Sequence, residues 1–533
     1  MPVRWDAEVD VVVAGSGAAA LVAATLAADG GAEVALVEKS AGVGGTTAVS
    51  GGGIWVPGNH HMAAAGLADD PAAAAAYIRR LAAGTEPDPG LVEVFVATAP
   101  AALAYLEAQT PLRTAMVPVG DYYLPYGVDG AAASGRQVEP VPFAFGAELP
   151  DWCDRVARRT TMASMGARTT MAEEVTGGAA TMADELDRRE RDDVRTKGAA
   201  LVGMLLRGLL ARGVAVHRRR AVRELVAVDG AVMGARMEDG DRSVLVAARQ
   251  GVVLACGGFE WDADLVRTFL GYDVQPLTPA GNTGDGLRMA AEAGARLANM
   301  TGFWGHGALV DPDGPHATFD AGRGMPGTIV VDRRGDRFVN EAEPYHDFAA
   351  DVGRHDAGAA FPDRPAAWLV FDEATRRSVP TLAGRPTGPG PHGDAAAATV
   401  EELAGLIGAD PARLAATVDR FDAGAAAGVD PDFHRHDRGL VVAVPPRPLG
   451  PGPFYAAAVF SGTLGTSGGP TVDRDGRVVD WEGRPVPGLY AAGNTAASIF
   501  GHAYPSGGTT LGNAMVTGYL AGRHVAASPR RAV

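Results

Sequence analysis

The chain is poor in cysteine, with Cys153 and Cys256 its only two in 533 residues. Two cysteines exclude a disulfide framework, and neither has a second cysteine at ligand spacing, so no metal site and no in-chain iron–sulfur relay is expected. A reducing cytoplasmic setting follows. Lysine is nearly absent as well, at Lys39 and Lys197 alone, the other basic residues being arginine. Basic charge is in deficit: 47 Lys and Arg against 63 Asp and Glu give a formal net charge of −16. Such a surface repels nucleic acid and anionic lipid, and neither is expected as a partner. Long hydrophobic runs are also missing. The apolar uncharged stretch Val11 to Ala28 only reaches the lower limit for a membrane span and is broken by Gly15-Ser16-Gly17. Asp6, Glu8 and Asp10 precede it where an export signal carries positive charge. Neither a transmembrane segment nor export is expected.

What the sequence has is glycine, 72 residues, more than one in eight and nearly twice the average of about 7%. Glycine at that level serves tight turns and close approach of backbone to a ligand. Its placement is informative. Val9 to Ala14 is a β-branched strand, Gly15-Ser16-Gly17-Ala18-Ala19-Ala20 turns into an alanine-rich helix, and Ala32 to Val37 forms a second strand closing on Glu38. That βαβ unit carries G-x-G-x-x-G/A. Gly15 makes the turn, Gly17 admits a pyrophosphate, Ala18 and Ala19 open the helix, and Glu38 accepts ribose hydroxyls. A second loop follows at once: Lys39, Ser40, Gly44, Gly45, Thr46, Thr47, then Ser50, Gly51, Gly52 and Gly53. A nicotinamide site does not need it, whereas a flavin enzyme passes such backbone beneath diphosphate and isoalloxazine, so FAD is expected.

Further along, residues 63–110 read as mostly helical, and 197–212 as an amphipathic helix. Short strands at 215–217, 222–228, 231–237 and 243–248 suggest an antiparallel meander, and Gly251 to Ala255 another buried strand. The proline-dense stretch from Pro445 to Pro453 suggests a crossing between domains, and a helix from about Gly512 to Ala526 ends the chain. No fixed-period repeat is present.

Four more pieces complete a pattern: Val253-Leu254-Ala255-Cys256-Gly257-Gly258, Asn282-Thr283-Gly284-Asp285-Gly286, Gly488 through Gly493 and Asn494, and Gly507-Gly508-Thr509-Thr510-Leu511-Gly512. In this order, from Val9 to Tyr519, they resemble the FAD-binding fold of the fumarate reductase flavoprotein and 3-ketosteroid dehydrogenase superfamily. The resemblance implies an α/β fold whose Rossmann-like FAD domain is split (1–287 and 451–533) around an α+β catalytic domain (288–450). It also implies that Ala255, Gly257, Gly258, Asp285, Gly493, Asn494, Gly508, Thr510 and Leu511 join the first two loops around FAD. No histidine lies between Gly44 and Trp55, where the family's covalent flavin link occurs, so FAD is expected to be non-covalent.

Within the superfamily, dicarboxylate chemistry needs arginines that this chain replaces: Thr510 stands at one position, and Ala342 to Phe348 follow Asn340-Glu341 at the other. The pattern instead resembles 3-ketosteroid Δ1-dehydrogenases, at Ser50 to Pro57, Asp121-Tyr122-Tyr123, Asn340-Glu341 through Tyr345, and Gly501 to Gly508. By that resemblance, the Tyr504 hydroxyl and Gly508 N–H bind a ketone oxygen, Tyr345 takes the α-proton as tyrosinate, and Tyr122 supports Tyr345, with Tyr123 or Tyr126 as substitutes for Tyr122. The expected substrate is a hydrophobic cyclic ketone; the electron acceptor is not identified. Tyr504-Pro505-Ser506 also resembles the Δ4-(5α)-dehydrogenases, which leaves open Δ4 desaturation or enone formation on another polycycle. A fumarate reductase-like enzyme and a flavin-binding protein without turnover are the remaining alternatives. His60, His61, His346 and His502 are expected at the surface or behind the site.

Overall fold

The computed structural model describes residues 3–158, 168–309, 317–318, 322–355, 365, 367–379, 382, 385, 387–388, 394–435 and 445–533. Its architecture follows from the first βαβ unit. The strand Ala7–Ala14 sits in the middle of a sheet, flanked by Val34–Glu38 and then Ala215–Arg218 on one side, and by Arg242–Leu254 and Pro485–Ala491 on the other. These five strands are parallel. Val11, Val12 and Val13 are wholly buried, because both faces of the sheet are covered: Val11 and Val13 pack with Leu21 and Val22, and Val12 with Val222, Val232, Ala235 and Met237.

The helix Ala18–Asp29 buries ten of its twelve residues, which is why it carries no polar face. It lies against the last helix, Thr509–Ala527, and glycine makes the approach possible. A Cβ on Gly518 would stand 2.5 Å from the Ala19 carbonyl oxygen, and one on Gly522 2.5 Å from that of Ala23. The pairing of 19 with 518 and 23 with 522 makes the helices parallel. Both N-termini therefore face the same end of the sheet, the last helix reaching about 12 Å further at 1.5 Å per residue. It begins at Thr509, three residues before the expected start, capped by Gly508 at φ +89°.

The four strands expected as one meander divide. Ala215–Arg218 is the parallel edge of the main sheet, while Arg220–Val228, Ala231–Asp239 and Arg242–Leu254 are antiparallel neighbours. The last runs unbroken through Gly251, since it also pairs with Ala7–Ala14, with a register shift between Val9 and Val11. The helix Lys197–Ala211, expected to be amphipathic, buries twelve of its fifteen residues. Among the described residues one helix, Gly90–Gln109, is long and apolar enough by length and composition to cross a membrane. Its Leu91, Phe95, Ala99, Leu103 and Leu106 are buried in the protein core.

A second sheet has the order Ala317–Thr318, Phe303–Leu309, Phe454–Thr466, Ala367–Asp372, Thr328–Val331, with Gln275–Pro276 and Ala395–Ala397 also paired to Phe454–Thr466. Strand alternation splits its side chains between two cores. Val330, Leu369 and Phe371 meet Phe348 and Val352 of the helix Tyr345–His355, while Ile329, Val331 and Val370 meet Leu403, Leu414 and Phe421 of the helices Val400–Ile407 and Pro411–Ala426. Phe454–Thr466 is thus the middle of the second sheet, and the chain rejoins the first sheet at Arg477–Val479. The prolines mark the entry to that strand: proline is excluded from a central ladder but fits just before it.

Candidate active site

The site starts where the first strand ends. Gly15 has φ +108°, and a Cβ there would stand 2.1 Å from the Ala255 carbonyl oxygen, so glycine alone fits between the two strand ends. Ser16 Oγ donates to Glu38 Oε2 and accepts from Gly44 N–H at 3.0 Å, Ala18 N–H donates to Thr47 Oγ1 at 3.0 Å, and Ser40 N–H to Glu38 Oε1 at 2.7 Å. These bonds tie the two glycine loops into one cradle.

A cavity of about 580 Å³ runs from this cradle past Ala255 and Gly493 to the N-terminus of the last helix. Every residue expected at the cofactor or substrate lines it, except Gly44 and Gly258. These two form the wall behind. A Cβ on Gly44 would stand 2.7 Å from that of Ala48, and one on Gly258 2.3 Å from Thr466 Oγ1. Lys39 Nζ reaches Asp285 Oδ2 and Thr283 Oγ1, each at 2.8 Å, and so pins the helix Asp285–Glu292 to the second strand. Asn494 Oδ1 accepts from Trp304 Nε1 at 3.0 Å. Cys256 lines the cavity, and burial pushes its thiol up to about 12, which keeps it protonated.

A flavin fits this wall. Thr510 Oγ1 and both polar side-chain atoms of Asn513, on the first two turns of the last helix, are buried without hydrogen-bond partners. A helix N-terminus with such groups suits the carbonyls and N–H of a pyrimidine ring.

The opposite wall is aromatic. Tyr122 follows Asp121, whose Oδ1 accepts from Trp55 Nε1 at 2.8 Å and whose Oδ2 accepts from Ala132 N–H at 2.9 Å and Arg136 Nη1 at 2.7 Å. Tyr504 is held through Pro505, whose carbonyl accepts from the Tyr77 hydroxyl at 2.7 Å and Tyr122 N–H at 3.2 Å. Tyr345 opens a helix, and the loop before it is clamped by charge. Glu341 meets Arg337 at 2.6 Å and Arg435 at 3.1 Å, Arg337 also meets Asp430 at 2.6 Å, and all four side chains are fully buried. Arg323 Nη1 donates to the carbonyls of Glu341 at 2.9 Å and Glu343 at 2.6 Å.

These supports bring the Tyr345 and Tyr504 hydroxyls to 2.9 Å. The Tyr122 ring lies 5.3 Å from that of Tyr345 and 6.2 Å from that of Tyr504. His306 stacks on Tyr345 at 4.5 Å. His346 is buried behind the site, accepting from Gly305 N–H at 3.1 Å and reaching the His502 carbonyl at 3.0 Å, while burial lowers its pKa. Tyr345 is pushed well above the ordinary tyrosine value by burial and by the adjacent Tyr122 and Tyr504. Tyr122, expected to support Tyr345, stands edge-on to its ring.

Sequence reasoning missed Tyr77, Gln137, Trp304 and Arg323. Tyr77 was readable as the one aromatic in the alanine-rich helix Pro71–Ala82; the others carry no local signal. His60, His61 and Glu107 come together with all candidate ligand atoms within 4.8 Å, where no metal set was expected. Glu107 already takes a 2.7 Å ion pair with His60 and a 2.7 Å hydrogen bond from Thr114 N–H, which accounts for the cluster.

A parallel sheet with a two-loop glycine cradle, leading to partnerless polar groups at a helix N-terminus and an aromatic wall, defines a flavin-dependent oxidoreductase. Residues 10–511 match the model of the FAD binding domain family, and the chain belongs to it. It is 38% identical to a 4-oxocyclohexanecarboxylate 2-dehydrogenase from Sinomonas cyclohexanicum, over 97% of this chain and 92% of that protein. It is 35% identical to a 3-oxosteroid 1-dehydrogenase from Mycobacterium tuberculosis, over 97% and 98% of the two chains. Among solved structures it is similar to the 3-ketosteroid Δ1-dehydrogenase of Sterolibacterium denitrificans in complex with 1,4-androstadiene-3,17-dione, with TM-score 0.88 and 32% identity over 98% and 99% of the chains.

Proposed function

We propose that this enzyme removes two hydrogens from adjacent carbons of a cyclic ketone, leaving a double bond conjugated with the carbonyl, with desaturation of a 3-ketosteroid at C1–C2 as its leading form. The observation that carries the reading is the pair of hydroxyls, Tyr345 and Tyr504, 2.9 Å apart on the wall of the cofactor cavity. The Tyr504 hydroxyl and Gly508 N–H donate to the ketone oxygen, which acidifies the neighbouring C–H and stabilises the enolate charge as it forms. Tyr345 takes the α-proton, and Tyr122 holds Tyr345 in place. FAD, bound non-covalently, supplies the acceptor for the β-hydrogen and its electron pair, and an external acceptor reoxidises it. The missing histidine between Gly44 and Trp55 supports the non-covalent mode. The cytoplasmic setting is supported by Cys153 and Cys256 both being free thiols.

A second reading keeps the chemistry and replaces the steroid with a small oxo-substituted ring carboxylate. It is favoured by the 38% identity to the Sinomonas relative over nearly the whole chain. The test is anaerobic mixing of the FAD-loaded protein with 4-androstene-3,17-dione or with 4-oxocyclohexanecarboxylate. Bleaching of the flavin band with a product lighter by two hydrogens is expected; no bleaching with any cyclic ketone overturns the reaction.

A further inference from the structure

Among the described residues three rings meet the side chain of Tyr345. Tyr122 stands edge-on at 5.3 Å and Tyr504 is tilted at 5.3 Å, while His306 lies closest, its ring centroid 4.5 Å away and its plane 29° from parallel. His306 is wholly buried on the strand Phe303–Leu309. The contact is set from two sides. Gly305 N–H donates to His346 Nδ1 at 3.1 Å, which fastens that strand to the start of the helix Tyr345–His355, and His306 Nδ1 meets the Gly307 carbonyl at 2.9 Å. A carbonyl only accepts, so Nδ1 carries a proton and Nε2 is the nitrogen that titrates.

A tyrosine that takes an α-proton must first give up its own, and here burial and the two neighbouring phenols resist that loss. Phenols bring no positive charge that would ease it. The other charged and titratable groups at this end are turned to different partners. Arg323 Nη1 donates to the carbonyls of Glu341 and Glu343 and its Cζ lies 5.1 Å over the Phe348 ring, Asp347 accepts from the Tyr123 hydroxyl at 2.8 Å, and His346 stacks on Tyr504. Glu343, pushed up to about 9, is uncharged at neutral pH. An imidazolium facing a phenolate within about 6 Å is attracted by the π-density and by the full negative charge, most strongly where water is excluded. We propose that His306, protonated at Nε2, supplies the positive charge against which Tyr345 ionises, so that the active form of the site holds a proton on His306 and none on the Tyr345 hydroxyl. Both groups exchange their protons with water; the α-proton then passes from carbon to the phenolate oxygen and restores the phenol. His306 is not among the residues lining the cavity, and it acts through Tyr345. This rests on the ring-ketone dehydrogenation proposed above and names what makes its base.

The test follows single-turnover bleaching of the FAD-loaded enzyme from acidic to alkaline pH, with whichever of 4-androstene-3,17-dione and 4-oxocyclohexanecarboxylate reduces it. Wild type is compared with His306→Phe, which keeps a ring against Tyr345, and His306→Gln, which keeps a side-chain donor; both remove the charge. Because the active form holds one proton on two coupled groups, the wild-type rate is expected to rise and then fall with pH, with apparent values that belong to the pair. In the variants the alkaline fall disappears. They are expected to be about thirtyfold slower at neutral pH and to climb with pH as Tyr345 ionises alone. A wild-type profile retained in both variants overturns the assignment, and so does a drop of equal size at every pH, which marks a merely structural ring. A wild-type rate that does not fall on the alkaline side overturns it as well. If His306→Phe does not hold FAD, the wild-type profile and His306→Gln decide the matter. These outcomes leave ring-ketone dehydrogenation standing; no flavin reduction of wild type by either ketone overturns the dehydrogenation itself, and the role of His306 with it.

Discussion

The two ends of the cavity are built on opposite principles. The cradle that begins at Gly15 is made of backbone: tight turns, positive φ angles and N–H groups, drawn largely from two short contiguous loops. The tyrosine end is made of side chains brought together from positions 77, 122, 345 and 504, each held by a different partner. A backbone site fails when a methyl group is added and is indifferent to most hydroxyls. A side-chain site fails when a hydroxyl is removed and tolerates change in the chain behind it.

Substitutions at each end sharpen this contrast. The largest effect is expected for Gly15→Ala, which places a methyl 2.1 Å from the Ala255 carbonyl oxygen in a left-handed conformation. The purified protein should be colourless, and flavin absorbance at full FAD occupancy would break the picture of the cradle. Next comes Tyr345→Phe, expected to lower kcat by about 10²–10⁴-fold, with the yellow colour and FAD stoichiometry retained; near-normal turnover removes Tyr345 as the base. Tyr504→Phe takes away one of two donors to the ketone oxygen and should lower kcat by about 10²–10³-fold, read in single-turnover flavin reduction. Tyr77→Phe leaves the Pro505 carbonyl without its 2.7 Å donor. It is expected to cost about 1–3 kcal/mol of stability, seen as a lower melting temperature, with less than about tenfold change in kcat, since the hydroxyl acts through the backbone of Pro505 and Tyr123.

The smallest effect concerns pH. Glu343 is pushed up to about 9 from an ordinary value of 4.5 by burial and by Asp351 and Asp347. Because the folded value is the higher one, its contribution to stability is fully present below 4.5 and declines as pH rises toward about 9. The melting temperature should fall across that window, and Glu343→Gln should flatten the fall; an identical slope in wild type and variant would show that Glu343 is ionised in the folded protein.

The same contrast explains what the sequence revealed. Gly15, Gly17, Glu38 and the Gly44 to Gly53 loop were legible because a phosphate-binding turn is a local object, encoded by neighbours in the chain. Tyr122, Tyr345 and Tyr504 emerged only through resemblance, and Tyr77 and Trp304 not at all, since their contacts join segments 428 and 190 residues apart. Prolines report where a ladder begins, while the sheet to which Phe454–Thr466 belongs is decided by its partners Phe303–Leu309 and Ala367–Asp372. Gly44 and Gly258, placed at the cofactor by motif alone, do not line the cavity.

The charged knot of Arg337, Glu341, Asp430 and Arg435 carries a consequence for how such an enzyme changes over time. Each member is wholly buried, so losing any one strands an opposite charge at about 3–5 kcal/mol, a large share of the 5–15 kcal/mol that holds a typical domain together. Single substitutions there are dead ends, and the frame that carries Tyr345 is frozen against stepwise drift. Cavity residues outside the knot, such as Val119 and Leu464, are free to vary one at a time. New substrates are therefore reached by repainting the wall around a proton acceptor that stays where it is.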